Sequence, residues 1–419
     1  MTDSTPYAPR LPRMTGRDPL EAHRVATPLE LLYDLSLVIA FGVAADQFAR
    51  LLAGGHLGAG LLGFAFAMCT ICGAWINFSW FSSAYDTDDW FYRIATMVQM
   101  IGVIMLALGL PAFFRSFDGG THTDFRVVVV GYVVMRIALV AQWLRVSVQA
   151  PAHRRTALTY VRWVSLAQIG WVTVAVLELP LVPTVALAAA LSTVEFGIPL
   201  FAERVAGGTP WHPHHIAERY GLLAIIALGE GVVGTVTTVS AILQHQGWSV
   251  EAIAVIIAGT GLTFGMWWTY FTLPAGTLLT RRRNKWFVWG YGHIVVYASI
   301  AAMGAGLHVA ALVVEGATSI GTVGAILAVS IPVAIYSVTL FASYSYLFEE
   351  WNPLHLALVS GTILMLAIGV GLAAAGAPLG LCLIVVTLSP AIVIVGFETV
   401  GHRHQLAALN HLEGQTTAS

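Results

Sequence analysis

Twelve stretches of this chain are apolar over about 20 residues or more, the length that carries an α-helix across a 30 Å hydrocarbon core. They read as one set of six written twice. The segments fall near residues 29–52, 58–82, 90–114, 124–148, 156–178 and 181–203, then 216–243, 249–273, 285–313, 319–347, 353–375 and 378–402. Segments five and six, and eleven and twelve, are the least separated, which leaves ten as an alternative count.

Short motifs tie the copies together. Glu30-Leu-Leu-Tyr-Asp34 opens the first and Glu218-Arg-Tyr-Gly-Leu-Leu the second, an offset of 188 residues. Asp89-Trp90-Phe91 is matched by Asn284-Lys285-Trp286-Phe287 at an offset of 196. Ala202-Glu203-Arg204-Val205 is matched by Phe397-Glu398-Thr399-Val400 at 195. Slowly drifting offsets are what duplication followed by loop changes would leave. The expected fold class is an all-α polytopic membrane protein of about twelve transmembrane helices, built as two tandem six-helix repeats in parallel orientation. The expected division is a disordered cytoplasmic leader over 1–24, repeats over 25–205 and 206–402, and a polar, mobile C-terminal tail over 403–419. Internal repeats of this kind recur in transporters, with sites near the repeat interface.

Only 10% of the residues are charged, against about 25% in soluble domains, so most of the surface does not face water. The net charge of −2 argues against a nucleic-acid partner. Cys69, Cys72 and Cys382 all lie in apolar runs and read as buried core cysteines. Arg/Lys bias sets the orientation. With the N-terminus inside, cytoplasmic segments collect Arg10, Arg13, Arg17, Arg24, Arg154, Arg155, Arg204, Arg281, Arg282, Arg283, Lys285 and Arg403. The outer loops hold little beyond Arg50, Arg115 and Arg126. Both termini are therefore expected in the cytoplasm of a bacterial inner membrane protein. The Arg281–Lys285 cluster reads as a topology anchor, with anionic lipid as its alternative role.

An ionisable side chain inside a bilayer is costly, so each one needs a partner or a task. Arg136 lies twelve residues past Asp124 in the fourth segment, about 18 Å along a helix. Glu195 is similarly deep in the sixth, and Glu230 about ten residues past Tyr220 in the seventh. Asp34 sits two turns into the first and His293 two turns into the ninth. Three acids against one arginine leave a surplus of negative charge, balanced either by protonated carboxyls or by a mobile cation. Both suit an ion or proton pathway.

Structural accounts compete with functional ones. Arg136 and Glu195 suit a buried structural pair. Thr27-Pro28-Leu29-Glu30 is a capping box with proline at the first helical position. Asp34, one turn later, has no basic residue within a turn to explain it. Glu230 stands between Gly229 and Gly231 with Gly234 one turn on, a pattern that allows close approach of another helix or a break exposing carbonyls to a cation. His293 is either a satisfied core histidine or a proton relay. His214 and Glu218, one turn apart, have a spacing that can chelate a metal. Alternatively their cluster positions the start of the seventh segment, with Glu218 and Arg219 at the water boundary. The expected pathway residues are Asp34, Glu230, His293, Glu30, Arg136 and Glu195, with His214 and Glu218 as metal candidates.

Several of these motifs resemble one family. Glu30-Leu-Leu-Tyr-Asp34-Leu, Trp80-Phe81 with Asp86-Thr-Asp88-Asp89, His214-His215-Ile-Ala-Glu218-Arg-Tyr-Gly-Leu with Leu-Gly-Glu230, and Trp289-Gly-Tyr291-Gly-His293 are similar to the bacterial low temperature requirement protein A family over about residues 25–400. The family usually has a small polar residue where Gly231 stands here. The resemblance implies a membrane-embedded protein and brings no established activity. A shorter similarity, centred on Tyr33-Asp34, is with the lysosomal proton-activated potassium channel family and its bacterial relatives.

The leading functional expectation is a transporter or channel that moves a proton or small cation along a pathway at the repeat interface. The alternatives are an intramembrane enzyme acting on lipid and a non-transporting sensor or assembly component. Expected partners are membrane lipids and a small ion or small molecule, without a cofactor; the reading leaves room for a homo-oligomer.

Overall fold

A computed structural model describes residues 11–19, 21, 24–118 and 122–417 of the chain. Among these residues there is no β-strand, only an isolated bridge between His122 and Pro180. The helices are α1 (Pro28–Ala53), α2 (Leu57–Tyr85), α3 (Trp90–Phe117), α4 (Arg126–Gln149), α5 (Arg154–Leu177), α6 (Leu181–Val205), α7 (Pro213–Gln246), α8 (Val250–Tyr270), α9 (Ala275–Arg281), α10 (Trp286–Val314), α11 (Gly321–Phe348), α12 (Pro353–Ala374), α13 (Leu379–Gly396) and α14 (His402–Thr417). A π-helical turn, Phe397–Gly401, joins the last two. Among the described residues twelve stretches of helix are long and apolar enough to cross a membrane, including those in segments five, six, eleven and twelve.

Local sequence explains where the helices begin. Asp89 caps α3 by accepting from the Tyr92 N–H at 3.0 Å, Ser249 caps α8 through Ala252 N–H at 3.2 Å, and Asn352 caps α12 through Leu354 N–H at 2.9 Å. Pro28, Pro213 and Pro353 occupy first helical positions, where a missing N–H costs nothing.

Two compact units divide the chain. Unit 1 comprises Met1–Ala44 and Leu62–Arg219; unit 2 comprises Ala45–Leu61 and Tyr220–Ser419. Helices α1 and α7 each contribute to both. In unit 1, α3 and α4 touch backbone to backbone: a Cβ on Gly102 would lie 2.6 Å from the Gly131 carbonyl oxygen. Small residues at such crossings let helices pack by dispersion, since lipid supplies no hydrophobic drive. The outward faces are apolar, with Leu108, Ile137, Val148, Val176, Val236 and Val250 all exposed. Water would not tolerate so much exposed hydrocarbon; acyl chains would.

Part of the expected disordered leader is packed on unit 1. Met14 is buried and its N–H donates to Gln149 Oε1 at 2.9 Å. The Arg17 N–H donates to the Ala84 carbonyl at 2.9 Å, and Arg24 Nη2 to the Ser82 carbonyl at 2.7 Å. Residues 1–10, 20, 22 and 23 of that leader, Arg10 among them, lie outside the described residues. Residues 402–417 form α14, and Gln405 Nε2 donates to the Thr272 carbonyl at 3.0 Å.

Candidate functional site

The buried charge of unit 1 is organised by α1 and α7. The capping box at the start of α1 forms as its sequence implies: the Thr27 N–H donates to Glu30 Oε2 at 2.7 Å and the Glu30 N–H to Thr27 Oγ1 at 3.3 Å. The same carboxylate also reaches the first turns of α7, with Oε2 3.2 Å from His215 Nε2 and Oε1 2.9 Å from Arg219 Nη1. One turn along α1, Asp34 Oδ1 accepts from Arg219 Nη2 at 2.6 Å and from Trp75 Nε1 at 2.7 Å. Ser79 Oγ accepts from Arg219 as well, at 3.2 Å. Glu30, Asp34 and Arg219 are fully buried. One guanidinium therefore bridges two carboxylates spaced by a helical turn, which its planar fork suits.

Arg219 is buried rather than at the water boundary, the alternative reading of its cluster, and Asp34, which has no basic residue within a turn, takes its basic partner from 185 positions away. Glu218, its neighbour, is half-buried and His214 is exposed. Among the described residues no group of three or more His, Cys, Asp or Glu side chains is placed to hold a metal ion.

Ring chemistry at the start of α7 is also defined. The His215 N–H donates to His212 Nδ1 at 3.2 Å, so the other ring nitrogen, Nε2, carries the proton that it shares with the Glu21 carbonyl at 2.8 Å. Burial pushes the His212 pKa down, consistent with that neutral ring. In the turn between α2 and α3, burial pushes the Asp86 carboxyl up to about 6, with Glu30 adding repulsion. Asp89 in the same turn goes the other way. Burial raises its pKa, but Arg145, at 2.5 Å and 2.9 Å from its two oxygens, and the Tyr92 N–H outweigh that and lower it overall.

A second pair lies deeper in unit 1. Arg136 Nε on α4 donates to Glu195 Oε1 on α6 at 3.2 Å, and the guanidinium also contacts the Tyr132 hydroxyl. Tyr132 Oη, Gln168 Nε2 and Trp171 Nε1 all donate to the same carboxylate, at 2.9, 3.2 and 3.1 Å. Four donors on one buried carboxylate satisfy its lone pairs, which is what a buried pair needs in order to persist.

In unit 2 the two expected residues are apart. Glu230 on α7 is buried at 4% exposure, and among the described residues no hydrogen bond or ion pair reaches its carboxylate. Its backbone is pressed against α10, where a Cβ on Gly304 would lie 2.7 Å from the Glu230 carbonyl oxygen. Gly234, one turn on, lies as close to the Gly304 carbonyl, at 2.6 Å for a notional Cβ. His293 precedes Gly304 on α10 by eleven residues, about 16 Å of helix. Its Nδ1 lies 2.8 Å from the Trp289 carbonyl and its Nε2 3.0 Å from Tyr270 Oη, and Tyr220, Trp289 and Tyr297 surround the ring. Both nitrogens are used. His293 has the environment of a satisfied core histidine.

Twelve candidate spans among the described residues, with Glu30, Asp34, Arg219, Arg136, Glu195 and Glu230 all buried, define a polytopic helical membrane protein with ionisable groups held in its interior. The family model described as bacterial low temperature requirement A protein (LtrA) matches residues 25–390, and the chain belongs to that family. An uncharacterized protein of Rhizobium meliloti (strain 1021) is similar at 26% identity over 250 residues, covering 58% of this chain and 57% of the relative. The match thus spans little more than half of the relative's length. No solved structure matches the chain.

Proposed function

We propose that this membrane protein moves a proton or a small monovalent cation, and that Glu230 is the group that takes it up. The observation that carries this reading is the Glu230 carboxylate itself, buried in a membrane-spanning helix without a counter-charge among the described residues. A carboxylate in that position must either hold a proton or be met by a cation, and exchange of that proton or cation is the step that a transport pathway needs. Gly234 brings the α10 backbone close at Gly304, Gly231 lies against Thr263 on α8 and Met303 on α10, and nothing lies within 4 Å of a notional Cβ on Gly229. In this reading Glu30, Asp34 and Arg219 brace α1 against α7, and Arg136 with Glu195 braces α4 against α6. The protein would lie in the bacterial inner membrane with both termini in the cytoplasm, as its arginine distribution favours.

The test is flux into proteoliposomes of purified protein, read with a pH-sensitive dye under proton and potassium gradients. Wild type is expected to conduct and Glu230→Gln to lose at least about tenfold in rate, the scale of removing a group that relays a proton. A Glu230→Gln protein that folds normally and moves ions at the wild-type rate with the wild-type pH dependence would remove Glu230 from the pathway.

A further inference from the structure

The basic clusters of this chain fall into two kinds. Arg282 and Lys285, in the strongest cluster by sequence, are both met by Glu349, Lys285 at 2.6 Å, and Arg281 Nη1 donates to the Leu409 carbonyl at 3.1 Å. These charges are largely spent inside unit 2. In unit 1, Arg154, Arg155 and Arg162 on α5 are all exposed and form no ion pair among the described residues. No acid stands in the first turn of α5. Glu203, near the end of α6, is turned inward, where Trp80 Nε1, Tyr160 Oη and the Thr209 N–H donate to it at 2.9, 3.2 and 2.8 Å.

These three arginines line an open groove of about 620 Å³ between α5 and the end of α6, together with Trp163, Phe201 and Val205. Arg155 and Arg162 are two helical turns apart, so they share one face of α5 at levels about 10 Å apart. Trp163 is 43% exposed and Phe201 46% exposed. Cation and hydrocarbon thus lie side by side within one groove at the end of two membrane helices. A soluble anion would use the arginines and leave the aromatic floor without a partner. A phospholipid uses both, with phosphate on the guanidinium forks and the glycerol and first methylenes on Trp163, Phe201 and Val205. We infer that this groove seats the headgroup of an anionic phospholipid. Three uncompensated positive charges select an anionic headgroup over a zwitterionic one.

Lipid retention by the full-length protein tests this. Protein in detergent is incubated with equal amounts of phosphatidylglycerol and phosphatidylcholine, and bound lipid is read by native mass spectrometry. Wild type is expected to retain phosphatidylglycerol at least about tenfold over phosphatidylcholine, since each nearby cation is worth about a fivefold gain at an anionic surface. The triple variant Arg154→Gln, Arg155→Gln, Arg162→Gln is expected to lose that preference. Arg115→Gln, an exposed arginine elsewhere in unit 1, is expected to keep it. The single variant Arg162→Gln, expected to lose about fivefold, carries the test should the triple variant not fold. The inference is overturned if wild type shows no preference, or if folded variants keep it in full. Displacement of the lipid by millimolar inorganic phosphate would also overturn it, because the ligand would then be the free anion.

Discussion

Among the single residues, Arg219 decides most. Its guanidinium is the only cation the described structure places on both Glu30 and Asp34, so its removal leaves two carboxylates facing each other in a dry site. Breaking a buried pair by deleting one partner costs about 3–5 kcal/mol, while replacing the whole set by neutral groups of similar shape costs much less. Arg219→Met is therefore expected to unfold at a markedly lower temperature than wild type in detergent or nanodiscs. Adding Glu30→Gln and Asp34→Asn to Arg219→Met is expected to restore most of the loss. Equal melting of wild type and Arg219→Met would show that the bridge contributes no stability. Arg219 was not legible from sequence because its partners lie 185 and 189 positions away, and because Glu218 beside it made the pair look like a solvated boundary. Arg136 and Glu195 were legible, since two opposite charges at similar depth in apolar segments have few other partners. The Glu30 capping box was legible for the opposite reason, being wholly local.

Among the helices, α10 shows how one substitution changes sign along a single element. A Cβ on Gly304 would meet the Glu230 carbonyl carbon, carbonyl oxygen and Cβ, all at 2.7 Å, two of them backbone atoms that no rotamer change can move. Gly292, three turns earlier on the same helix, has nothing within 4 Å of its notional Cβ. Gly304→Ala is expected to destabilise by about 1–3 kcal/mol, the usual cost of overpacking. Gly292→Ala is expected to stabilise by about 0.5–1 kcal/mol, because alanine loses less conformational freedom in a helix. Unfolding of the two variants in the same detergent checks this, and equal effects would mean that α7 and α10 do not touch at Gly304. The long helices themselves were legible from apolar length alone, since the bilayer imposes it. The described part of the leader was not. Two of its contacts start from backbone N–H groups, Arg17 to the Ala84 carbonyl and Met14 to Gln149 Oε1, which no side-chain pattern announces.

At the scale of the whole molecule, the order of spans decides which loops share a side of the membrane. Between Trp248 and Trp351 the chain crosses three candidate spans: the one containing α8, the one containing α10, and α11. Three crossings would put the two tryptophans on opposite sides. In the orientation proposed from the arginine distribution, Trp248, at the loop after α7, is expected outside, and Trp351, beside the Arg282, Lys285 and Glu349 cluster, inside. Both side chains are well exposed, at 74% and 94%, so either can become cysteine without disturbing a core. In a background with Cys69, Cys72 and Cys382 replaced, Trp248→Cys is expected to react with a membrane-impermeant maleimide on intact cells. Trp351→Cys is expected to react only after permeabilisation. Labelling of both on intact cells would mean that one apolar helix between them does not cross. Reaction of Trp351→Cys alone would keep the span count and invert the orientation, placing the basic loops, the α5 groove and both termini on the outer face.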